Sequence, residues 1–189
     1  MLNFENDIAA AVKTLLAGGI ILYPTDTVWG IGCDATNPVA VDKIMALKNR
    51  PANKSMIVLV AEERDIIQYV AAPDPAVFVY LETIQKPTTV VYPQGIALAE
   101  NLLGADGSIG IRICADEFCR HLIKRLRHPL VSTSANVSGQ PTPTFFNEIA
   151  DTIKDGVDYV VEHRRDDLTP AVPSSVIKWT STGIEVLRP

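Results

Sequence analysis

The sequence predicts an α/β fold, built as a single domain in which a twisted mixed sheet is flanked by helices. Short apolar runs typical of buried strands alternate along the chain with segments of helical periodicity. The last two apolar runs follow one another closely, which adds an antiparallel hairpin to the alternating pattern. The 189 residues suffice for one well-buried core, and no repeat, low-complexity tract or linker divides them. We therefore treat residues 1–189 as one domain.

The first half of the chain predicts alternating helices and strands. An amphipathic helix ends at Gly18-Gly19, because glycine readily adopts the conformation that terminates helices. A second helix begins at Asn37-Pro38, since proline fits the first helical turn. A helix also follows Pro73-Asp74-Pro75. The other elements predicted here are helix Glu5–Ala17, strand Ile20–Tyr23, the body of the second helix to Leu47, strand Met56–Val60 and helix Glu62–Val70.

The second half predicts further strands, with a basic helix between two of them. The segment from Tyr23 to Asp34 is instead interpreted as a loop, in which Pro24 ends the preceding strand and Gly30 and Gly32 permit close backbone approach. The elements predicted here are strands Thr88–Tyr92 and Ser108–Ile113, helix Glu117–Leu126, strand Pro129–Ser132, helix Thr144–Ile153, and strands Val157–Val161, Ser174–Trp179 and Ile184–Leu187.

Composition and charge exclude several functional classes. The formal net charge of −5 disfavours broad non-specific binding to nucleic acid but leaves room for a local basic cleft. No apolar stretch reaches the roughly 18 residues that a membrane span needs. The first residues are acidic and lack the basic and apolar regions of a secretory signal. We therefore expect a cytoplasmic protein with no membrane contact.

The three cysteines predict neither a disulfide framework nor a metal centre. Cys33, Cys114 and Cys119 are odd in number and widely scattered. His121 lies near the last two, but no second pair of ligands supports a metal site. Buried structural thiols are the better interpretation, and no metal-binding residues are predicted.

A polar stretch from Val131 to Gly139 follows an apolar strand and packs four hydroxyls and a carboxamide into nine residues. So many hydrogen-bonding groups bury poorly, so we expect a neutral binding rim at the strand end, where open α/β sheets place ligands. Ser175 and Lys178 mimic the S-x-x-K nucleophile motif, but residues three apart on a strand face opposite sides. The chain has no G-x-S-x-G elbow and no phosphate-binding P-loop.

One group of basic residues and one isolated arginine suggest contacts with anions. Lys48, Arg50 and Lys54 follow the second helix, where either the helix dipole or phosphate recognition explains them. Arg112 lies in an otherwise apolar strand and needs a carboxylate, either an internal one or a ligand's, of which the ligand's is favoured. A further group has helical spacing and is interpreted as a solvated helix face, namely Arg120, Lys124, Arg125 and Arg127.

Together these segments resemble the YrdC family, the threonylcarbamoyl-AMP synthases of tRNA modification, from Gly19 to Arg188. The order and spacing of the motifs carry the resemblance. One departure is that Gln85-Lys86 replaces the usual Pro-Gly before Pro87 and Thr89, which affects the local loop shape. We also expect this chain to be a short form, without the additional C-terminal domain of longer members. The matching motifs are Tyr23-Pro24-Thr25-Asp26 with Trp29-Gly30, Lys48-x-Arg50-Pro51, the strand with Arg112, and Ser132 to Pro141.

The resemblance implies a YrdC-like fold with a basic ligand cleft and a specific reaction. L-Threonine, bicarbonate and ATP give threonylcarbamoyl-AMP and pyrophosphate, with Mg²⁺ carried by the ATP phosphates. The tRNA-threonylcarbamoyl transferase machinery then modifies adenosine 37 of tRNA. Catalysis would rest on positioning and charge neutralisation, without a protein nucleophile. Direct tRNA binding is left open.

The resemblance also implies roles for individual residues. Lys48 and Arg50 are the expected catalytic residues, and they hold the triphosphate with Lys54 nearby. Ser132 supports either side of the site. The nucleotide side is expected to include Ser108, Asn136, Thr144 and Arg188, and the threonine side Thr25, Arg112, Ser134 and Ser174.

Two alternatives stay open at this point. The local basic groups also fit a non-catalytic module that binds double-stranded RNA or tRNA, although the overall acidity counts against it. A third interpretation is an enzyme that adenylates a different amino acid. Consumption of ATP and exchange of the amino acid in an assay discriminate among the three.

Overall fold

A nine-stranded mixed sheet forms the centre of the structure, a computed structural model that describes residues 4–50, 56–180 and 183–189. The strand order is β7-β1-β2-β6-β3-β5-β4-β8-β9. The strands are β1 Ile21–Tyr23, β2 Gly30–Gly32, β3 Ile57–Val60, β4 Thr88–Tyr92, β5 Ile109–Ile113, β6 Leu130–Ser134, β7 Tyr159–Val160, β8 Ser175–Thr180 and β9 Gly183–Arg188. The helices are α1 Glu5–Leu16, α2 Pro38–Leu47, α3 Ile66–Tyr69, α4 Pro75–Thr83, α5 Glu117–Leu126 and α6 Asp151–Lys154.

The pairing confirms the predicted mixed α/β sheet. Strand β3 runs parallel to β5, and β4 runs parallel to β8, whereas β6 is antiparallel to both β2 and β3. The predicted closing hairpin is β8–β9, with a bulge between Val176 and Ile177. Asn37 caps α2 by accepting hydrogen bonds from the backbone N–H groups of Val39 and Ala40, which fixes the start of the helix that leads to the candidate site.

Two sequence predictions differ from the structure. Strand β2 lies inside the segment predicted as a loop, because its glycines allow it to fit between β1 and β6. The predicted helix Thr144–Ile153 is wrong. It is replaced by a 3₁₀ turn, Phe146–Glu148, and the short helix α6. The Glu148 carboxylate accepts the Thr144 and Phe145 amides, and extended backbone at Ile149 and Ala150 then prevents a continuous helix.

Several predictions about burial are confirmed. All three cysteines are buried free thiols, and the basic residues of α5 are exposed.

Within residues 4–50, 56–180 and 183–189, no cluster of three or more His, Cys, Asp or Glu side chains could hold a metal ion. No helix in those ranges is both long and apolar enough to cross a membrane.

We predict that Gly32→Ala destabilises the fold. A Cβ at this position would lie 2.5 Å from the Val131 carbonyl oxygen and 2.6 Å from the Tyr23 ring, both in the packed core. Overpacking of this kind costs about 1–3 kcal/mol, which urea unfolding would measure. Gly110→Ala is the matched control, because its Cβ would meet side-chain methyl groups at 3.2 and 3.3 Å that can shift. Equal stability losses in the two variants would contradict this account of β2.

Candidate functional site

A cavity of about 380 Å³ opens over one face of the sheet, across the adjacent strands β2, β6, β3, β5, β4 and β8. Its polar lining consists of arginines and hydroxyl groups, and none of the described residues that line it carries a carboxylate. Gly110 lies beside Arg112 on the same face of β5, so the missing side chain leaves room above the sheet. The arginines and hydroxyl residues of the lining are Arg50, Arg112, Arg188, Thr27, Thr89, Ser132, Thr133, Ser134, Thr142 and Ser174.

Arg112 lies at the floor of this cavity and is 2% exposed. Its Nη2 lies 2.9 Å from Oδ1 of Asp26, and its Nη1 donates to the Thr27 hydroxyl at 3.1 Å. Its Nε is buried and has no hydrogen-bond acceptor among the described residues. The sequence left open whether an internal carboxylate or a ligand's meets Arg112, and the structure contains the internal one. Contact between Arg112 and a ligand carboxylate stays a prediction.

The loop between β1 and β2 supplies these partners and is itself braced. The Thr25 hydroxyl lies 3.0 Å from the Thr27 hydroxyl and donates to the Val28 carbonyl at 2.8 Å. Arg164 donates to the Thr25 carbonyl at 3.2 Å and forms an ion pair with Asp116 at 2.6 Å. Arg164 thereby ties the loop to the start of α5. The loop in turn holds Arg112 through Asp26 and Thr27.

Lys48 ends α2 and is 1% exposed. Its ammonium donates to the carbonyl oxygens of Ser134 and Asn136, and its own carbonyl accepts the Ser138 amide at 2.9 Å. Burial, and secondarily the neighbouring Arg50 cation, lower the pKa of Lys48 to about 8. The side chain therefore anchors the polar loop after β6, while its predicted contact with phosphate stays a prediction.

The polar rim, formed by the end of β6 and the loop that follows it, satisfies much of its own hydrogen bonding. The Ser134 hydroxyl donates to the Asn136 carboxamide oxygen at 2.5 Å. The Asn136 amide group donates to the carbonyls of Val137 and Gln140 at 3.1 and 2.7 Å. Ser132 and Ser134 line the cavity directly. The rim is thus a neutral, ordered wall, as the density of hydroxyl groups predicted.

The far wall is built around Ser174, which precedes β8 and is buried. Its hydroxyl lies 3.0 Å from the Thr89 hydroxyl, and Arg188 donates to its carbonyl and hydroxyl at 2.9 and 3.3 Å. Partial burial, and then the nearby Arg112 cation, lower the pKa of Arg188. Arg188 and Arg112 both line the cavity, which favours binding of an anion there.

The structure brings together about half of the predicted site residues. Thr25 and Thr144 line a small adjoining cleft that shares Thr27 and Trp29 with the main cavity. Ser108 precedes β5, where its amide binds Asp106, and it does not line the main cavity. Lys48 and Asn136 support the rim from behind, and Lys54 lies outside the described residues. The main cavity contains Arg50, Arg112, Ser132, Ser134, Ser174 and Arg188.

Sequence reasoning assigned no role to three residues that hold the site together, Asp26, Thr27 and Arg164. The alternation of Thr25 and Thr27 was a usable signal for the hydroxyl pair, because such residues share one side of an extended segment. Asp26 appeared only as part of a motif. Arg164 lies in an irregular segment after β7, where no periodic pattern indicates its partners.

Comparisons with known proteins agree with this geometry. A family profile named Sua5/YciO/YrdC, described as "Telomere recombination", matches residues 13–189. A threonylcarbamoyl-AMP synthase from Idiomarina loihiensis is 37% identical, over 81% of this chain and 82% of that protein. One from Stenotrophomonas maltophilia is also 37% identical, over 72% of this chain and 75% of that protein.

Solved structures share the same fold. P. abyssi Sua5 complexed with L-threonine has a TM-score of 0.87 and 25% identity to this chain. The match covers 98% of this chain, which spans 54% of that protein. HypF in a phosphate- and nucleotide-bound form has a TM-score of 0.82 at 22% identity, over 96% of this chain and 28% of HypF, a likeness of fold alone.

We predict that Lys48→Met loosens the rim without unfolding the protein. The change keeps the apolar stem but leaves the Ser134 and Asn136 carbonyls without the ammonium. Unsatisfied buried acceptors cost about 1–3 kcal/mol each, so hydrogen exchange at the Ser138 amide should accelerate about tenfold or more. Lys43→Met is the matched control on α2, because Lys43 is exposed and binds the Gly18 carbonyl. Unchanged exchange at Ser138 in Lys48→Met would show that the anchor is unimportant.

Proposed function

We propose that this chain, which belongs to the Sua5/YciO/YrdC family, is a threonylcarbamoyl-AMP synthase. It joins L-threonine, bicarbonate and ATP to form threonylcarbamoyl-AMP and pyrophosphate. The observation that carries the proposal is a single cavity lined by three arginines and by neutral hydroxyl groups. Such a lining suits two anionic substrates that meet without a protein nucleophile.

The amino-acid end of the cavity is assigned to the region around Arg112. The Arg112 guanidinium donates to the threonine carboxylate, since a charged donor and a carboxylate form a strong hydrogen bond. The hydroxyl groups of Ser134 and Ser174 lie on the walls of the same cavity, and Thr25 lies in the adjoining cleft. These neutral groups are suited to bind the amino and hydroxyl groups of threonine.

The nucleotide end is assigned to the region around Arg50. Arg50 and Lys54 bind the triphosphate, and Lys48 contributes its charge from behind the rim. Mg²⁺ arrives with the ATP phosphates, which supply the hard oxygen ligands that this ion prefers. Ser132 supports both ends. The further nucleotide contacts in the proposal are Ser108, Asn136, Thr144 and Arg188.

The chemistry then needs positioning and charge neutralisation. The amino nitrogen of threonine forms a bond to the carbon of bicarbonate, with loss of water, to give an N-carboxylate. A carboxylate oxygen attacks the α-phosphorus of ATP, and the bond to the β-phosphate oxygen breaks. Pyrophosphate leaves with that electron pair. Arg50 and Lys48 counter the negative charge that accumulates on the phosphates as this happens.

The RNA-binding alternative gains little from the exposed basic face of α5. Lys124 pairs with Glu62, and Arg125 pairs with Glu5. Arg64, beside this face, also pairs with Glu62 at 2.7 Å. These acids neutralise much of the charge that a nucleic acid would need.

Delivery of the product to the tRNA-threonylcarbamoyl transferase machinery in the cytoplasm is part of the proposal, and direct tRNA contact is not required for it.

We expect purified protein to release pyrophosphate when supplied with L-threonine, bicarbonate, Mg²⁺ and ATP, and not when threonine or bicarbonate is omitted. A coupled pyrophosphate assay measures this. Heat-denatured protein is the control. If the protein releases no pyrophosphate but binds tRNA with a steep dependence on salt, the RNA-binding alternative replaces the proposal.

The same assay predicts an asymmetric choice among amino acids. Valine should be rejected strongly, because the hydroxyl groups of the site would be left without a partner. Serine should be rejected more weakly, since the missing methyl group contributes only about 1–3 kcal/mol. The measurement is kcat/KM for each amino acid. Equal exclusion of serine and valine would contradict the assignment of hydroxyl groups to the threonine side chain.

A further inference from the structure

Asp26 balances the charge of Arg112 before any ligand arrives. Its Oδ1 lies 2.9 Å from Nη2 of Arg112, and the two side chains are 9% and 2% exposed. Its Oδ2 accepts the Ala115 amide at 3.3 Å. The carboxylate does not line the main cavity but an adjoining one, which shares Thr27 with it. Asp26 therefore acts on the main cavity through the guanidinium that it holds.

This arrangement limits which anions Arg112 can bind. Nη1 donates to Thr27, Nη2 lies 2.9 Å from the Asp26 carboxylate, and Nε is buried with no acceptor among the described residues. An anion that reaches the Arg112 guanidinium from the cavity therefore meets it in the field of a fixed negative charge. A singly charged carboxylate can still bind there, whereas a phosphate with two or more negative charges is repelled more strongly by Asp26.

The cavity needs such a distinction because it is lined by three arginines. Phosphate groups bind any exposed guanidinium well, so an uncompensated Arg112 would compete for the triphosphate. Without a balancing carboxylate, Arg112 would form a phosphate site at the amino-acid end.

We propose that Asp26 determines anion specificity within the cavity: it reserves the Arg112 end for one carboxylate and excludes phosphate groups from it. The proposal rests on the proposed function, in which threonine occupies the Arg112 end and the triphosphate the Arg50 end. Asp26 is thus a specificity-determining residue that acts by repulsion, and its removal should admit a competitor rather than only weaken the substrate.

Inorganic phosphate is the probe, and steady-state inhibition of pyrophosphate release is the measurement. In the wild-type protein, phosphate should compete with ATP but not with threonine. Asp26→Asn keeps the side-chain volume and removes the charge. In this variant phosphate should become competitive with threonine, and it should raise the apparent KM for threonine about tenfold at a concentration that leaves this KM unchanged in the wild type. Asp26→Glu, which restores the charge, should return the wild-type pattern.

Asp42→Asn is the matched control, because Asp42 is exposed on α2, lines none of the cavities described above and undergoes the same change of charge. It should leave phosphate inhibition unchanged. A folded Asp26→Asn protein in which phosphate still does not compete with threonine would overturn the proposal. If Asp26→Asn fails to fold, the wild-type protein provides the test, because competition of phosphate with threonine in the wild type also overturns the proposal. A wild type that releases no pyrophosphate instead overturns the proposed function, and this proposal with it.

Discussion

A buried cation must be surrounded by acceptors, and this requirement shapes the whole candidate site. Arg112 and Lys48 are almost fully buried, and an isolated charge in such a place carries a large desolvation cost. The Asp26–Thr27 loop surrounds the first cation, and the carbonyl groups of the loop after β6 surround the second. The two loops that border the cavity are therefore held by the charges that they solvate.

The sheet brings these anchors together. Strands β2 and β6 are neighbours, so the loop before β2 and the loop after β6 lie at the same edge of the cavity. Strand β5 places Arg112 on the cavity floor, and Gly110 on the same face leaves space above it. The hairpin β8–β9 brings Arg188 to the opposite wall. The result is a ligand space with cations fixed on several sides and neutral hydroxyl groups between them.

The sequence predicted local structure well where a residue type has a single physical requirement, as apolar side chains do for burial. Apolar periodicity predicted most of the strands, and proline and asparagine predicted the start of α2. Strand β2 was not predicted, because glycines in a sequence usually indicate turns. In this strand they instead allow close packing. The helix over residues 144–153 was predicted in error because Glu148 caps a local turn with its side chain, which periodicity does not reveal.

Within the site, the need of Arg112 for a carboxylate was predictable from its apolar surroundings, but the identity of its protein partner was not. Asp26 is distant in sequence, and only the β1–β2 connection brings it to β5. Lys48 was singled out as a phosphate contact, which stays a prediction. The direction of its ammonium depends on where the loop after β6 passes, which the sequence does not reveal. Arg164 had no signal, because its partners lie on three separate segments.

We propose that threonine, bicarbonate and ATP meet in this cavity and leave as one product. Mass spectrometry of the reaction mixture, with ¹³C-labelled bicarbonate, tests this proposal. The expected result is an ion of threonylcarbamoyl-AMP that carries the label in its carbamoyl carbon. An unlabelled aminoacyl-AMP, or no adenylate at all from a folded protein, would contradict it.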